Sequence, residues 1–334
     1  MNKSIIIFAQ QLAEELTKAG RHGTAKSYDC SVHSFLQFAG NVELEFSDLN
    51  QSLLKEYEQY LLNIGRTRNT VSLYFRMLRS ICNQAVDRLK IAIPDNLFSN
   101  LLIGMDQYER RSASLQIFTR LARLDLGNKS TSLGFARDLF MLSFYLRGIP
   151  FVDLANLRKD DICEGVLCYR RSKAKRELVV YLEPDALRII DKYSRYTVGS
   201  PYLFPILDGD EEKRNTRYKN ALRWYNRSLD SLSQMLKLKD SLTSYVPRHS
   251  WTIATYRQEV PMSVISESLG HTSERVIYPY LLSFDDKVLR QVNRKVISNL
   301  DLSKEEEPDV LKIRKSGKRS SKKVSKEPDT NPFN

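Results

Sequence analysis

Ile6, Ala9, Leu12 and Leu16 recur at three- and four-residue spacing, the pattern of a helix that buries one face. The chain is therefore expected to open with a helix beginning near residue 4. The same reading places a second helix from about Thr24 to Phe38 and a third from Leu53 to Leu62. A fourth is expected to start at Asn69, a good N-cap residue, with Val71, Tyr74, Leu78, Ile81 and Ala85 on its buried side. Its approach and opposite side carry Arg66, Arg68, Arg76 and Arg79. A solvated surface and a phosphate-gripping surface both fit that arrangement. Guanidinium groups suit phosphate because their planar fork donates two parallel hydrogen bonds.

The periodicity fades after residue 92. Pro94, Asp95, Gly104 and the charged run Asp106, Glu109, Arg110 and Arg111 mark residues 93–114 as a linker. Helices are expected again at Leu115–Leu124 and Ser132–Tyr145. Strand-like runs follow at Val166–Tyr169 and Leu178–Leu182, separated by the polar turn Arg170–Glu177. Beyond Pro201 the pattern is helical almost to residue 300. This predicts a mainly α chain with a small β-hairpin or three-stranded sheet. Residues 1–92 would form a helical domain and residues 115–302 a second domain. Residues 303–334 read as a disordered basic tail, since Lys312 to Lys326 hold eight Lys or Arg and no acidic residue.

Composition agrees with two domains, because single cores usually stop growing well before 334 residues. A hydrophobic share of 42% suffices for proper cores. The formal charge of +12 and a pI near 9.4 imply an acidic polymer as partner, nucleic acid first among them. No window approaches the roughly 20 apolar residues of a membrane span, and the apolar run Ser4 to Ala9 is too short for a signal peptide. No membrane association is expected, and a cytoplasmic protein is. Cys30, Cys82, Cys163 and Cys168 lack metal-ligand spacing, and Cys163 and Cys168 are expected to be reduced core residues. Neither a metal nor another cofactor is expected.

Three segments stand out chemically. Arg147 follows an apolar helix and leads into Gly148-Ile149-Pro150-Phe151-Val152-Asp153-Leu154. Arg170-Arg171-Ser172-Lys173-Ala174-Lys175 forms a basic turn between the strands. Tyr245-Val246-Pro247-Arg248-His249 is followed by Leu269-Gly270-His271 and Tyr278-Pro279-Tyr280. Cutting a phosphodiester without metal needs fixed cations around the non-bridging oxygens. It also needs an in-line nucleophile and an acid for the leaving oxygen. The three segments hold a candidate for each part. A tyrosine nucleophile conserves the bond energy, but its ordinary pKa near 10 calls for neighbouring positive charge.

In these motifs the chain resembles the tyrosine recombinase (phage integrase) family, whose ordered signature is Arg, Lys, His-x-x-Arg, His or Trp, and Tyr. Arg147, Lys173, Arg248, His271 and Tyr280 match it in order, and Tyr280 stands nine residues past His271, the usual spacing. The forms RG-x-x-FVDLA-x-L and YV-x-RHSW are most similar to integrases of Bacteroidetes mobile elements. Tyr245 occupies the place of the usual histidine. Asp153, aligned with the acidic residue that buttresses the first arginine, stands three places later than in many relatives. Within the motifs, Lys175 and Arg171 compete with Lys173, and Tyr278 is an alternative to Tyr280. His249 is expected to point elsewhere.

The resemblance implies a helical SAM-like core-binding domain followed by a recombinase catalytic domain. It implies a 3′-phosphotyrosyl intermediate through Tyr280, charge stabilisation by Arg147, Arg248 and His271, and protonation of the leaving 5′ oxygen by Lys173. Arg66, Arg68, Arg76, Arg79, Arg171 and Lys175 are the expected DNA contacts. The implied partners are double-stranded DNA carrying specific sites, four protomers on two sites, and DNA-bending accessory proteins. A bacterial, nucleoid-associated setting goes with them. Segment Asp285–Leu300 would dock on a neighbouring protomer. Two rivals fit the same motifs, a type IB topoisomerase and a noncatalytic DNA-binding protein. Neither the DNA site nor the outcome (integration, excision or inversion) is encoded in any motif.

Overall fold

The computed structural model describes residues 4–40, 44–104, 112–127, 131–207, 210, 213–271 and 273. The first region contains α1 (Ile5–Lys18), α2 (His22–Ala39), α3 (Gln51–Asn63) and α4 (Arg68–Leu89). Helix α4 starts one residue before Asn69, not after it. Thr67 is the N-cap, its Oγ1 accepting from the Thr70 amide at 3.3 Å, so Asn69 lies in the first turn. The four helices bury a shared apolar interior in which Tyr57 stands edge-on to Phe35 and Phe75, with ring centroids 5.1 and 5.7 Å apart. Burial lifts the Tyr57 phenol well above its ordinary pKa, and the neutral hydroxyl donates to Ser34 Oγ at 2.8 Å.

Part of the stretch read as linker lies on this same interior. Ile93, Leu97, Phe98, Leu101, Leu102 and Ile103 pack against it. Glu58 Oε1 accepts from the Leu102 amide at 2.6 Å, and Ser72 Oγ donates to the Ile103 carbonyl at 2.9 Å. The turn residues Pro94 and Asp95 therefore break the helix without releasing the chain. Arg110 and Arg111 lie outside the described residues.

The second region has its own interior, centred on α6 (Thr131–Tyr145), whose Ala136, Leu139, Phe140 and Leu142 are fully buried. Helix α6 packs against α5 (Leu115–Ala122), α8 (Pro184–Ser194), α9 (Arg214–Met235) and α10 (Val246–Tyr256). A helix surrounded on so many sides loses its polar stripe. Helix α8 was not anticipated, although Glu183-Pro184-Asp185 has Pro at its first turn, a helix-start signal. The short α7 (Phe151–Leu154) and α11 (Met262–Ser268) complete the α-helices among the described residues.

Strands β1 (Ile162–Cys163), β2 (Val166–Arg170) and β3 (Glu177–Tyr181) form an antiparallel sheet in that order. Cys168 pairs with Val179 and Arg170 with Glu177. Leu167, Tyr169, Leu178 and Val180 face the interior, so the period-two alternation of strands is kept. The two sheet cysteines are not core residues, contrary to expectation. Cys163 and Cys168 fall on the outward positions and are exposed, as is Cys30; only Cys82 is a core residue. Burial pushes the Cys82 thiol up to about 12, which keeps it protonated.

Candidate active site

Two helix ends of the same type build the site. At the end of α6, the Gly148 amide donates to the Ser143 carbonyl at 2.8 Å and the Arg147 amide to Phe144 at 3.1 Å. This is the paired closure of a Schellman motif, which requires a left-handed residue just past the helix. Here that residue is Arg147, with φ of 57°, and Gly148 follows at 71°. An arginine in this conformation carries backbone strain that glycine would avoid. Gly148 is needed for a different reason. A Cβ there would lie 2.5 Å from Arg248 Cα, so only hydrogen lets α10 approach this closely.

The end of α11 repeats the pattern. The His271 amide donates to Ser266 at 2.9 Å and the Gly270 amide to Glu267 at 2.8 Å, with Gly270 at φ of 63°. A Cβ on Gly270 would meet Arg171 Cδ at 2.7 Å. Sequence order alone separates His271 from Arg147 by more than a hundred residues; the two turns are tied together through Arg248.

Arg248 sits in the first turn of α10 and is 2% exposed. Its Nη1 donates to the Gly148 carbonyl at 3.0 Å, and its Nη2 donates to the Leu269 carbonyl at 2.7 Å. Nη2 also meets His271 Nε2 at 2.9 Å. A guanidinium has no acceptor, so Nε2 must accept here and the neutral imidazole carries its proton on Nδ1. One buried cation thus holds both helix-end turns.

The hairpin turn adds a second buried cation. Arg171 was expected among the DNA contacts, but it is 6% exposed and committed internally. Its Nη1 donates to the carbonyls of Leu269 at 2.7 Å and Gly270 at 3.3 Å, and its Nε faces Asp153 Oδ2 at 3.4 Å. Asp153 Oδ1 accepts the Ser172 amide at 2.8 Å. Asp153 therefore pairs with Arg171, whereas the sequence reading assigned it to Arg147. Arg147 is half-buried and its Nη1 donates to the Val179 carbonyl at 3.3 Å. Around the buried Tyr169, desolvation raises the phenol pKa and Asp153 adds to the rise, while Arg171, Arg248 and Arg147 oppose it. All four charges are thus within electrostatic reach of one neutral hydroxyl.

Lys173 is exposed at the tip of the turn that Asp153 anchors. Lys175, also exposed, is left-handed at φ of 55°, and its carbonyl accepts from Arg170 Nε at 2.9 Å. Tyr245 caps α10 and is 46% exposed, its ring edge-on to His249 at 5.2 Å. Tyr280, its rival Tyr278, segment Asp285–Leu300 and the basic tail all lie outside the described residues.

In the first region Arg66, Arg68 and Arg79 are exposed, and Arg76 is half-buried with Nε donating to the Ser72 carbonyl at 3.3 Å. A further basic face lies on α9. Lys219, Arg223 and Arg227, spaced four apart on α9, are all exposed, and the i, i+4 recurrence was the available signal. Among the described residues no group of three or more His, Cys, Asp or Glu could hold a metal ion. No described helix is long and apolar enough to cross a membrane.

Comparison with known proteins adds the following. Residues 4–99 match the phage integrase SAM-like domain, and residues 125–287 match the phage integrase family. A tyrosine recombinase of Thermosipho africanus is 22% identical over 307 residues, spanning 88% of this chain and all of that protein. The tyrosine recombinase XerA of Pyrococcus furiosus is 28% identical over 138 residues, 40% of this chain and 46% of the relative. Among solved structures, a lambda integrase dimer bound to a COC′ core site superposes with a TM-score of 0.62 at 14% identity, covering 83% of this chain and 95% of that one. The Tn1549 transposon integrase in complex with transposon right end DNA gives 0.60 at 12% identity, covering 88% and 99%.

Proposed function

Because the chain belongs to the tyrosine recombinase (phage integrase) family, we propose that Tyr280 is its nucleophile, acting on a phosphate held by Arg147 and Arg248. The protein is a site-specific recombinase that breaks and rejoins DNA. The observation that carries the assignment of residues is Arg248. It donates to the carbonyl next to Arg147 and to the ring of His271, so three signature positions from distant parts of the chain converge.

The chemistry then follows from the groups. The Tyr280 oxygen, giving up its proton to solvent, forms a bond to phosphorus as the bond to the 5′ oxygen breaks, leaving a 3′-phosphotyrosyl link and a 5′-hydroxyl. Arg147, Arg248 and His271 offset the charge that grows on the non-bridging oxygens. Lys173, on an exposed and anchored turn, protonates the leaving oxygen. Tyr245 replaces a histidine with a hydroxyl that donates to a phosphate oxygen. Reversal of these steps with a new 5′-hydroxyl rejoins the strand without an energy source.

Phosphate contacts come from Arg66, Arg68, Arg76, Arg79 and Lys175, joined by the α9 face of Lys219, Arg223 and Arg227. Arg171 is withdrawn from that set because its guanidinium is buried in protein contacts. The working assembly is four protomers on two DNA sites, as expected of a reaction that exchanges strands in pairs. A lambda integrase tetramer has been solved on a Holliday junction. DNA-bending accessory proteins and a nucleoid setting complete the proposal.

The test uses nicked duplexes drawn from the DNA flanking the chain's own gene. Wild-type protein should give a covalent adduct on denaturing gels, Tyr278→Phe should keep it, and Tyr280→Phe should lose it. Adduct formation by Tyr280→Phe at the wild-type level ends the assignment.

A further inference from the structure

We infer that Arg171 is a positioning residue, which through Asp153 sets the lysine turn and the His271 turn as a single unit. Two independent sets of contacts carry this. On one side, Asp153 grips the turn at its base, accepting from the Ser172 amide next to Lys173 at 2.8 Å while facing Arg171 Nε at 3.4 Å. On the other, Arg171 Nη1 reaches the last two carbonyls before His271, at 2.7 and 3.3 Å. The Leu269 carbonyl is shared, accepting from Arg171 and from Arg248 at 2.7 Å each.

The physical chemistry suits a rigid joint. Side-chain exposure is 7% for Arg171 and 1% for Asp153, so water does not compete for either partner. The carbonyls at the end of α11 form its negative pole, where a cation is favoured. Gly270 lets the guanidinium arm pass, since a Cβ there would fall 2.7 Å from Arg171 Cδ. A lysine in place of Arg171 could keep the charge but not the fork that spans a carboxylate and two carbonyls. A buried ion pair is weak grounds for stability, because apolar replacements of both partners often cost nothing. What the pair supplies is position.

This inference rests on the reading of Lys173 as proton donor, and the experiment separates the two. Single-turnover cleavage is measured on duplexes with an ordinary scissile phosphate and on duplexes with sulfur in place of the bridging 5′ oxygen. A thiolate leaves without a proton, so sulfur bypasses the acid. Lys173→Ala should lose about 10²-fold or more on oxygen and recover on sulfur. Arg171→Lys should lose about 10²-fold on oxygen, from misplacement of both groups. It should recover only part of that on sulfur, since His271 stays displaced. DNA affinity should not change.

The double variant Asp153→Leu, Arg171→Met leaves no unpaired buried charge, so it should fold, and it should show the same partial recovery. Wild-type cleavage of the oxygen substrate by either variant overturns the inference. Equal losses on oxygen and sulfur, tracking a lowered melting temperature, overturn it as well. Failure of Lys173→Ala to recover on sulfur removes the reading of Lys173 instead.

Discussion

The two regions of this chain fill their interiors differently. The amino-terminal helices enclose aromatic and aliphatic groups, and their buried polar atoms serve local needs: Ser72 holds the Ile103 carbonyl and Glu58 the Leu102 amide. The second region encloses an apolar interior as well, but it also buries Arg171, Arg248 and Asp153 where three chain segments meet. Buried cations are costly unless every donor is used. Among the described residues they occur in the second region alone, which marks where the molecule accepts that cost for geometry. Among the described residues the first region is a scaffold that buries no cation; the second keeps cations inside to aim others.

The sharpest way to break this comparison is Arg248→Ala. The substitution strips donors from the Gly148 carbonyl and from His271, while the Leu269 carbonyl keeps Arg171. Each buried acceptor left unmet costs about 1–3 kcal/mol, so the melting temperature should fall. Cleavage, measured on protein that remains folded, should drop by about 10³-fold as the phosphate clamp is lost. Near-normal cleavage with a lowered melting temperature would make Arg248 a mere strut.

Phe75→Ala is the counterpart in the scaffold. Phe75 is fully buried against Tyr57, and its loss should cost about 3–5 kcal/mol of stability by denaturant titration. Below the unfolding transition, and at saturating DNA, cleavage should stay within a few-fold of wild type. If cleavage instead collapses while stability holds, the division between scaffold and machinery is wrong.

How much of this was legible in the sequence depends on distance along the chain. The helices of the first region announced themselves because their periodicity is local, whereas α8 did not. The start of α4 was misplaced by two residues because Thr67 and Asn69 are both competent caps, and only the Thr70 amide chooses between them. Arg171 could not be told from Arg170, Lys173 or Lys175 in a uniformly basic turn. What separates it is a carboxylate 18 positions away and carbonyls nearly a hundred positions away. The left-handed arginine was equally hidden, since the adjacent Gly148 was the natural candidate for that conformation.

That arginine gives a prediction in which stability and activity move apart. Arg147 follows its helix in the left-handed region at φ of 57°. Arg147→Gly should relieve about 1 kcal/mol of strain, raising the melting temperature slightly. It should also remove a phosphate ligand and depress cleavage by about 10²-fold. Destabilisation by this change would mean that the bond to the Val179 carbonyl outweighs the strain.

The smallest effect belongs to the scaffold's outer surface, where Arg79 is exposed on α4. If its role is to neutralise one phosphate, Arg79→Ala should weaken binding to specific and nonspecific duplexes alike. The plot of log affinity against log salt should then become shallower by about 0.9. Such a uniform change reflects a charge that positions the protein but reads no base. Loss of discrimination between sites at an unchanged salt slope would place Arg79 at a base edge instead. The scaffold would then choose the DNA as well as hold it, and the contrast with the buried cations of the second region would be one of chemistry against recognition.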